Sequence, residues 1–169
     1  MKRIFNDHGV TLLELLIAIS IVAILAVTAV PSFITYLQQN RLVGATQRLY
    51  HTLQYARTEA VKRNANVYVS FVTGSNWCYG ANPGATCACN TSGSCTIGSV
   101  SAPSAGQISL SATGLNSGAI YFEPNHGASS SSSTITFTTS QGDTMGVKIG
   151  LLGSLTICSS SIAGYPACS

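Results

Sequence analysis

"HGVTLLELLIAISIVAILAVTAVPSF", residues 8–33, decides how the rest of the chain is read. From Val10 to Val30 the only charge is Glu14, and the other polar side chains are Thr11, Ser20 and Thr28. At 1.5 Å per residue this run, as a helix, spans about 31 Å, close to the hydrocarbon thickness of a bilayer. A carboxylate in that setting costs roughly 2.5–3.5 kcal/mol or more, so Glu14 needs a partner or a purpose. An ordinary secretory signal, with Lys2 and Arg3 as its basic start and a cut near Ala29, would place Glu14 inside its apolar core. A cut between Gly9 and Val10 avoids that conflict. It leaves a short polar leader, MKRIFNDHG, keeps the apolar run, and creates an α-ammonium on Val10 four residues from Glu14.

Gly9-Val10-Thr11-Leu12-Leu13-Glu14, then an apolar stretch and Pro31, resembles the type IV prepilin signature, which pseudopilins of type II secretion share. The resemblance implies a prepilin peptidase that cuts after Gly9 and methylates Val10, where many relatives carry Phe or Met. It implies that Glu14 neutralises the Val10 ammonium of a neighbouring subunit during assembly, and that Pro31 belongs to the same assembly segment. The rival role for Glu14 is a protonated or snorkelling carboxyl at the headgroups.

Residues 32–63 carry a different helical pattern. Leu42, Ala45, Leu49, Leu53, Ala56 and Ala60 recur at steps of three and four, which puts them on one face. Arg41, Arg48, Arg57, Lys62 and Arg63 fall largely off it. Pro31 lacks an N–H and crowds the turn before it, so a kink or local unwinding is expected there. Asn64 and Asn66 are the expected stop residues. The chain then divides into a leader (1–9), an anchor and filament-core helix half (10–31), an amphipathic helix half (32–64) and a β-rich head (65–169).

In the head, "NVYVSFVT" (66–73) alternates as a half-buried strand does. Further strands are expected at 107–112, 119–123, 134–139, 145–149 and 155–158. Residues 80–105 and the serine run 129–133 read as loops, the latter as a flexible surface loop. The expected fold class is α+β: a pilin fold in which a long N-terminal helix packs on a β-sheet head. "ARTEAVKRN" (56–64), "GSNWCYG" (74–80), "IYFEPNHGAS" (120–129) and "IGLLGSLTIC" (149–158) resemble the GspH/FimT group of pilins and pseudopilins. Within "ARTEA", Ala56 and Ala60 are expected to face the core and Arg57 and Glu59 to be solvated.

Six cysteines, Cys78, Cys87, Cys89, Cys95, Cys158 and Cys168, suit an oxidising compartment. The spacing C-x8-C-x-C-x5-C matches no common zinc pattern, and no His is near in sequence. Cys87 and Cys89 point to opposite sides of an extended chain and should not pair together. If Cys158 takes Cys168, two arrangements remain: 78–87 with 89–95, or 78–89 with 87–95.

Only 8% of residues are charged and the net charge is +3, which falls to +2 when residues 1–9 and their Lys2, Arg3 and Asp7 are removed. That balance alone does not point to nucleic acid. His51 and His126 are isolated, no G-x-S-x-G occurs, and acids total five, so neither an enzyme nor a bound cofactor or metal is expected. Three readings remain. The first is a minor type IV pilin that initiates or caps a pilus. The second is a DNA-binding minor pilin for natural transformation. The third is a minor pseudopilin of type II secretion. DNA-binding relatives carry G-R-x-R where this chain has Gly153-Ser154-Leu155-Thr156, which disfavours DNA. Lys62, Arg63 and Lys148 are the remaining candidate phosphate contacts. The expected partners are other pilins and the prepilin peptidase. The expected location is the inner membrane, with a periplasmic head, and then the pilus near its tip.

Overall fold

A computed structural model describes residues 11–103 and 107–168. One helix, α1 (Leu12–Arg63), is followed by eight strands: β1 (Val67–Val72), β2 (Cys78–Pro83), β3 (Gly98–Ser101), β4 (Ile108–Thr113), β5 (Ala119–Phe122), β6 (Ser133–Thr139), β7 (Thr144–Ile149) and β8 (Leu155–Ser159). The chain forms two compact units, one through Gln38 and one from Gln39 onward. The helical backbone does not unwind at position 31 and runs unbroken to Arg63. Pro31's side chain lies outside the described atoms.

Both ends of α1 have local causes. Thr11 Oγ1 accepts from the Glu14 N–H at 3.2 Å, which caps the first turn, and Thr-x-x-Glu is the spacing of a capping box. At the far end Asn64 takes φ 51°, the left-handed region that Asn tolerates. The Ala65 N–H then reaches Ala60 O at 3.2 Å and the Asn64 N–H reaches Val61 O at 3.3 Å. That pair of bonds is a Schellman cap.

From Leu42 on, α1 buries one stripe. Leu42, Leu49, Leu53, Ala56 and Ala60 are fully covered. Ala45 is only partly so; Thr46 takes the buried place and satisfies its hydroxyl on Leu42 O at 2.9 Å.

The strands form two antiparallel four-stranded sheets, ordered β3-β2-β1-β5 and β4-β6-β7-β8. Gly74 and Leu110 exchange backbone hydrogen bonds of 2.8 and 3.0 Å and tie the two sheets together. Trp77 reinforces the joint. Its indole stacks on Tyr79, meets Phe137 edge-on, and donates Nε1–H to Ile108 O at 2.9 Å. In the second sheet the alternation is clean. Ile135, Phe137, Met145 and Val147 point inward, while Ser109, Ser111, Thr134, Thr136 and Lys148 point away from the core.

Two expectations for the head need correction. The segment read as a loop from 80 onward holds most of β2 and all of β3. "CYGANP" has a single aromatic and no β-branched residue, so its strand propensity is low; pairing with β1 and β3 makes it a strand. The serine run is not a loose loop either. Ser131 and Ser133 hydroxyls both donate to Gly114 O (2.7 and 2.8 Å), Ser129 Oγ donates to Ser131 O, and Ser130 bonds Tyr121 through backbone and side chain. Serine supplies enough local hydrogen bonds to order a segment that lacks apolar anchors.

Candidate functional site

Gly9 and Val10, the expected processing residues, lie outside the described residues. Glu14 sits in the first turn of α1, exposed, where its charge also suits the helix dipole. Between Leu12 and Leu37 sixteen described large apolar residues are exposed, from Leu12 at 81% to Leu37 at 37%. Within the run Ser20 satisfies its hydroxyl on Leu16 O at 2.7 Å. This part of α1 is long and apolar enough to cross a membrane. Removing such side chains from water is worth up to about 1.5–3 kcal/mol each, on the order of a few tens of kcal/mol together. That outweighs the few kcal/mol Glu14 opposes.

The end of α1 carries the polar cluster. Glu59 was expected in solvent; it is only 2% exposed. Arg63 Nε donates to its Oε2 at 2.5 Å and Lys62 Nζ lies 3.4 Å from Oε1. The hydrogen bond from Arg63 is the main cause that holds the Glu59 carboxyl below its usual range, with the charges of Lys62 and Arg63 adding to it and burial opposing. Arg57, also expected in solvent, is half-buried. Its Nε donates to Gly127 O at 3.1 Å and Nη2 to His126 O at 3.5 Å. Gly127 (φ 63°) and Gly153 (φ 73°) make this possible: a Cβ on either would press into the Arg57 side chain. The signal for Arg57 was present in the two glycines, but only the fold puts residues 57, 127 and 153 together.

Cys78 joins Cys89, Cys87 joins Cys95, and Cys158 joins Cys168. Of the two arrangements open for the loop, the structure holds the crossed one. Gly80 lies directly beneath it, so close that a Cβ there would strike Cys95 and Cys89. The tail bridge is supported by Ser159, whose backbone N–H reaches Pro166 O at 2.8 Å and whose hydroxyl accepts from the Ser161 and Ile162 N–H groups.

Lys148 is exposed on β7, opposite Thr156 and Thr134 in register, away from Lys62 and Arg63 in sequence and element. His51 borders an open hollow of about 260 Å³ with Tyr55 and Val100; His126 borders another of about 400 Å³ with Arg57, Val61 and Lys62. Tyr79 is fully buried, and burial pushes its phenol up to about 12. Among the described residues no group of three or more His, Cys, Asp or Glu could hold a metal ion.

Residues 45–160 match the family model described as type II transport protein GspH, and residues 4–30 match the prokaryotic N-terminal methylation motif. The chain belongs to the GspH family. No curated protein matches it. Two crystal forms of the type IV minor pilin FimU of Pseudomonas aeruginosa (strain PAO1) share its fold. The P65 form aligns with a TM-score of 0.52 and 17% identity over 69% of this chain and 91% of that one. The P21 form gives 0.53 and 19% over 72% and 91%. The GspH match covers α1 from Ala45 and reaches the end of β8, so it includes Arg57, Glu59 and both glycine turns.

Proposed function

We propose that this GspH-family chain is a minor type IV pilin, a structural subunit that helps initiate or cap a pilus and performs no catalysis. The observation that carries this is one helix with two different halves. Leu12 to Leu37 expose apolar side chains that only lipid or neighbouring subunits can cover, while the stripe from Leu42 is covered by the chain's own head. In this reading a prepilin peptidase cuts after Gly9 and Val10 becomes the methylated first residue. The subunit waits in the inner membrane with its head in the periplasm. Glu14 then pairs with the Val10 ammonium of an adjacent subunit as both enter the filament, and the region around Pro31 lies in the filament core. The three disulfides suit the oxidising periplasm.

A DNA-binding role has less support. Ser154 and Thr156 stand where cations would be needed, and Arg63 is held by Glu59. The pseudopilin reading has one specific observation in its favour, the type II transport description of the matching family. The deciding experiment tracks the full-length chain in its own cells. Recovery in sheared pili, lost when pilus assembly is disabled, supports the pilin reading. Dependence on an intact type II secretion system, with none in pili, favours the pseudopilin. A mature N-terminus near Val30 would sink both.

A further inference from the structure

Two leucines occupy the tip of the β7–β8 turn, where turn chemistry favours polar residues. Leu151 is 59% exposed and Leu152 83%. The turn carrying them is held firmly. Gly153 N–H bonds Gly150 O at 2.8 Å, Gly150 N–H bonds Ser154 O at 2.9 Å, and Leu151 O accepts from the Ser129 N–H at 2.9 Å. Gly153 also packs against Gly127 and Arg57. Arg57 in turn borders the open hollow with Val61, Lys62 and His126, in which Val61 is 51% exposed. Rigid exposed leucines beside a cationic hollow are an unusual investment for a solvated surface, because apolar patches with polar rims mark interaction sites.

The charges restrict the occupant. From residue 39 onward the chain has six cations, Arg41, Arg48, Arg57, Lys62, Arg63 and Lys148, against three acids, Glu59, Glu123 and Asp143. Three of the six cations lie in the last two turns of α1. Of the acids, Asp143 precedes the opposite end of β7, while Glu59, buried beneath Lys62 and Arg63, and Glu123, whose carbonyl accepts from the Gly127 N–H, leave the three cations in excess at the hollow. Two such net-positive heads repel, so a second copy is the wrong partner.

We propose that the β7–β8 turn and the end of α1 form a docking surface for the head of a different pilin subunit, through an acidic segment edged by apolar side chains. This rests on the pilin reading. Leu151 and Leu152 insert between the partner's apolar groups, while Lys62 and Arg57 face its carboxylates.

The test replaces Leu152 with a photo-crosslinking residue in the full-length chain and irradiates intact, piliated cells. The expected product joins this chain to another protein with a prepilin-type N-terminus, at a peptide containing Asp or Glu. Adding Leu151→Ser, or separately Lys62→Glu, should lower that product at least tenfold while the processed chain keeps its abundance. Changing the contacted acid to Lys should restore the product with Lys62→Glu. Crosslinks only to lipid, only to a second copy, or none, overturn the inference. So does a product insensitive to both variants. If the chain is processed after Gly9 and recovered in pili but gives no such crosslink, the docking surface alone falls; if it is absent from pili, the pilin reading falls first.

Discussion

The two parts of α1 are made of similar residues and meet opposite fates. Leu16 and Leu25 are 56% and 62% exposed; Leu49 and Leu53 are not exposed at all. The difference lies in arrangement. In the first part apolar side chains surround the helix, a pattern that one sheet cannot cover and a bilayer or a bundle of copies can. In the second they keep to one stripe, and Arg41, Arg48 and Arg57 occupy the remainder, so the helix can bury one side and expose the other. One part is stabilised from outside the chain and the other from inside it.

The largest effect belongs to processing. Gly9→Leu should block cleavage almost completely, leaving a membrane-held chain longer by the nine leader residues, and mass spectrometry of the intact protein reads the difference. Glu14→Ala comes next. Insertion should persist, since an apolar residue is cheaper in lipid, while incorporation into filaments should fall at least tenfold by quantitative immunoblotting. Normal incorporation would mean that the Glu14 carboxylate plays no part in assembly.

Replacements at equivalent chemistry should then separate the two parts of the helix. Leu49→Ala in the covered stripe should destabilise the head by about 2–5 kcal/mol, and Leu16→Ala by close to nothing. Trp77 is the chain's single tryptophan and is buried between the sheets, so denaturant titration of the full-length protein in detergent, read by its fluorescence, reports the head alone. Equal effects would erase the division. Losing the tail bridge by Cys158→Ser with Cys168→Ser should cost somewhat less, about 2–3 kcal/mol for a loop of this length. The same titration measures it.

How legible this was in the sequence follows the same division. The prepilin pattern and the stripe are periodic or local, so residues 9–14 and the 3-and-4 spacing from Leu42 could be read directly. Six of the eight strands could be read, β1 from its alternation and the other five as short runs bounded by Gly, Ser, Pro or Asn. β2 and β3 could not, because their residues are small or turn-forming and their strand structure comes from pairing with neighbouring strands rather than from their own propensity. The order of the serine run escapes the sequence for a related reason: it comes from hydrogen bonds to Gly114 and Tyr121, which composition cannot show. Glu59 and Arg57 failed as solvated residues because burial of a charge depends on its neighbours. Helical spacing allowed Arg63 to pair with Glu59 at i+4, but nothing local revealed Gly127 and Gly153 closing over Arg57.

Glu59 gives the smallest and most selective effect. It is an acid under the surface whose two cations remain near solvent: the Lys62 side chain is 74% exposed and that of Arg63 49%. Its carboxyl is held below the ordinary value of 4.5, chiefly by the Arg63 hydrogen bond. A carboxyl with a lowered folded-state pKa binds protons less readily than the unfolded chain does. Its contribution to stability is therefore complete above the unfolded value and disappears as pH falls through the lowered folded value. Glu59→Gln removes that dependence while keeping the size and one of the two acceptor oxygens. The wild type should have the higher denaturation midpoint at pH 7, and the gap should narrow steadily below about pH 4.5. A gap that stays constant from pH 7 to pH 3 would show that Glu59 stabilises the end of α1 through packing and neutral hydrogen bonds, and that its charge contributes nothing to the head.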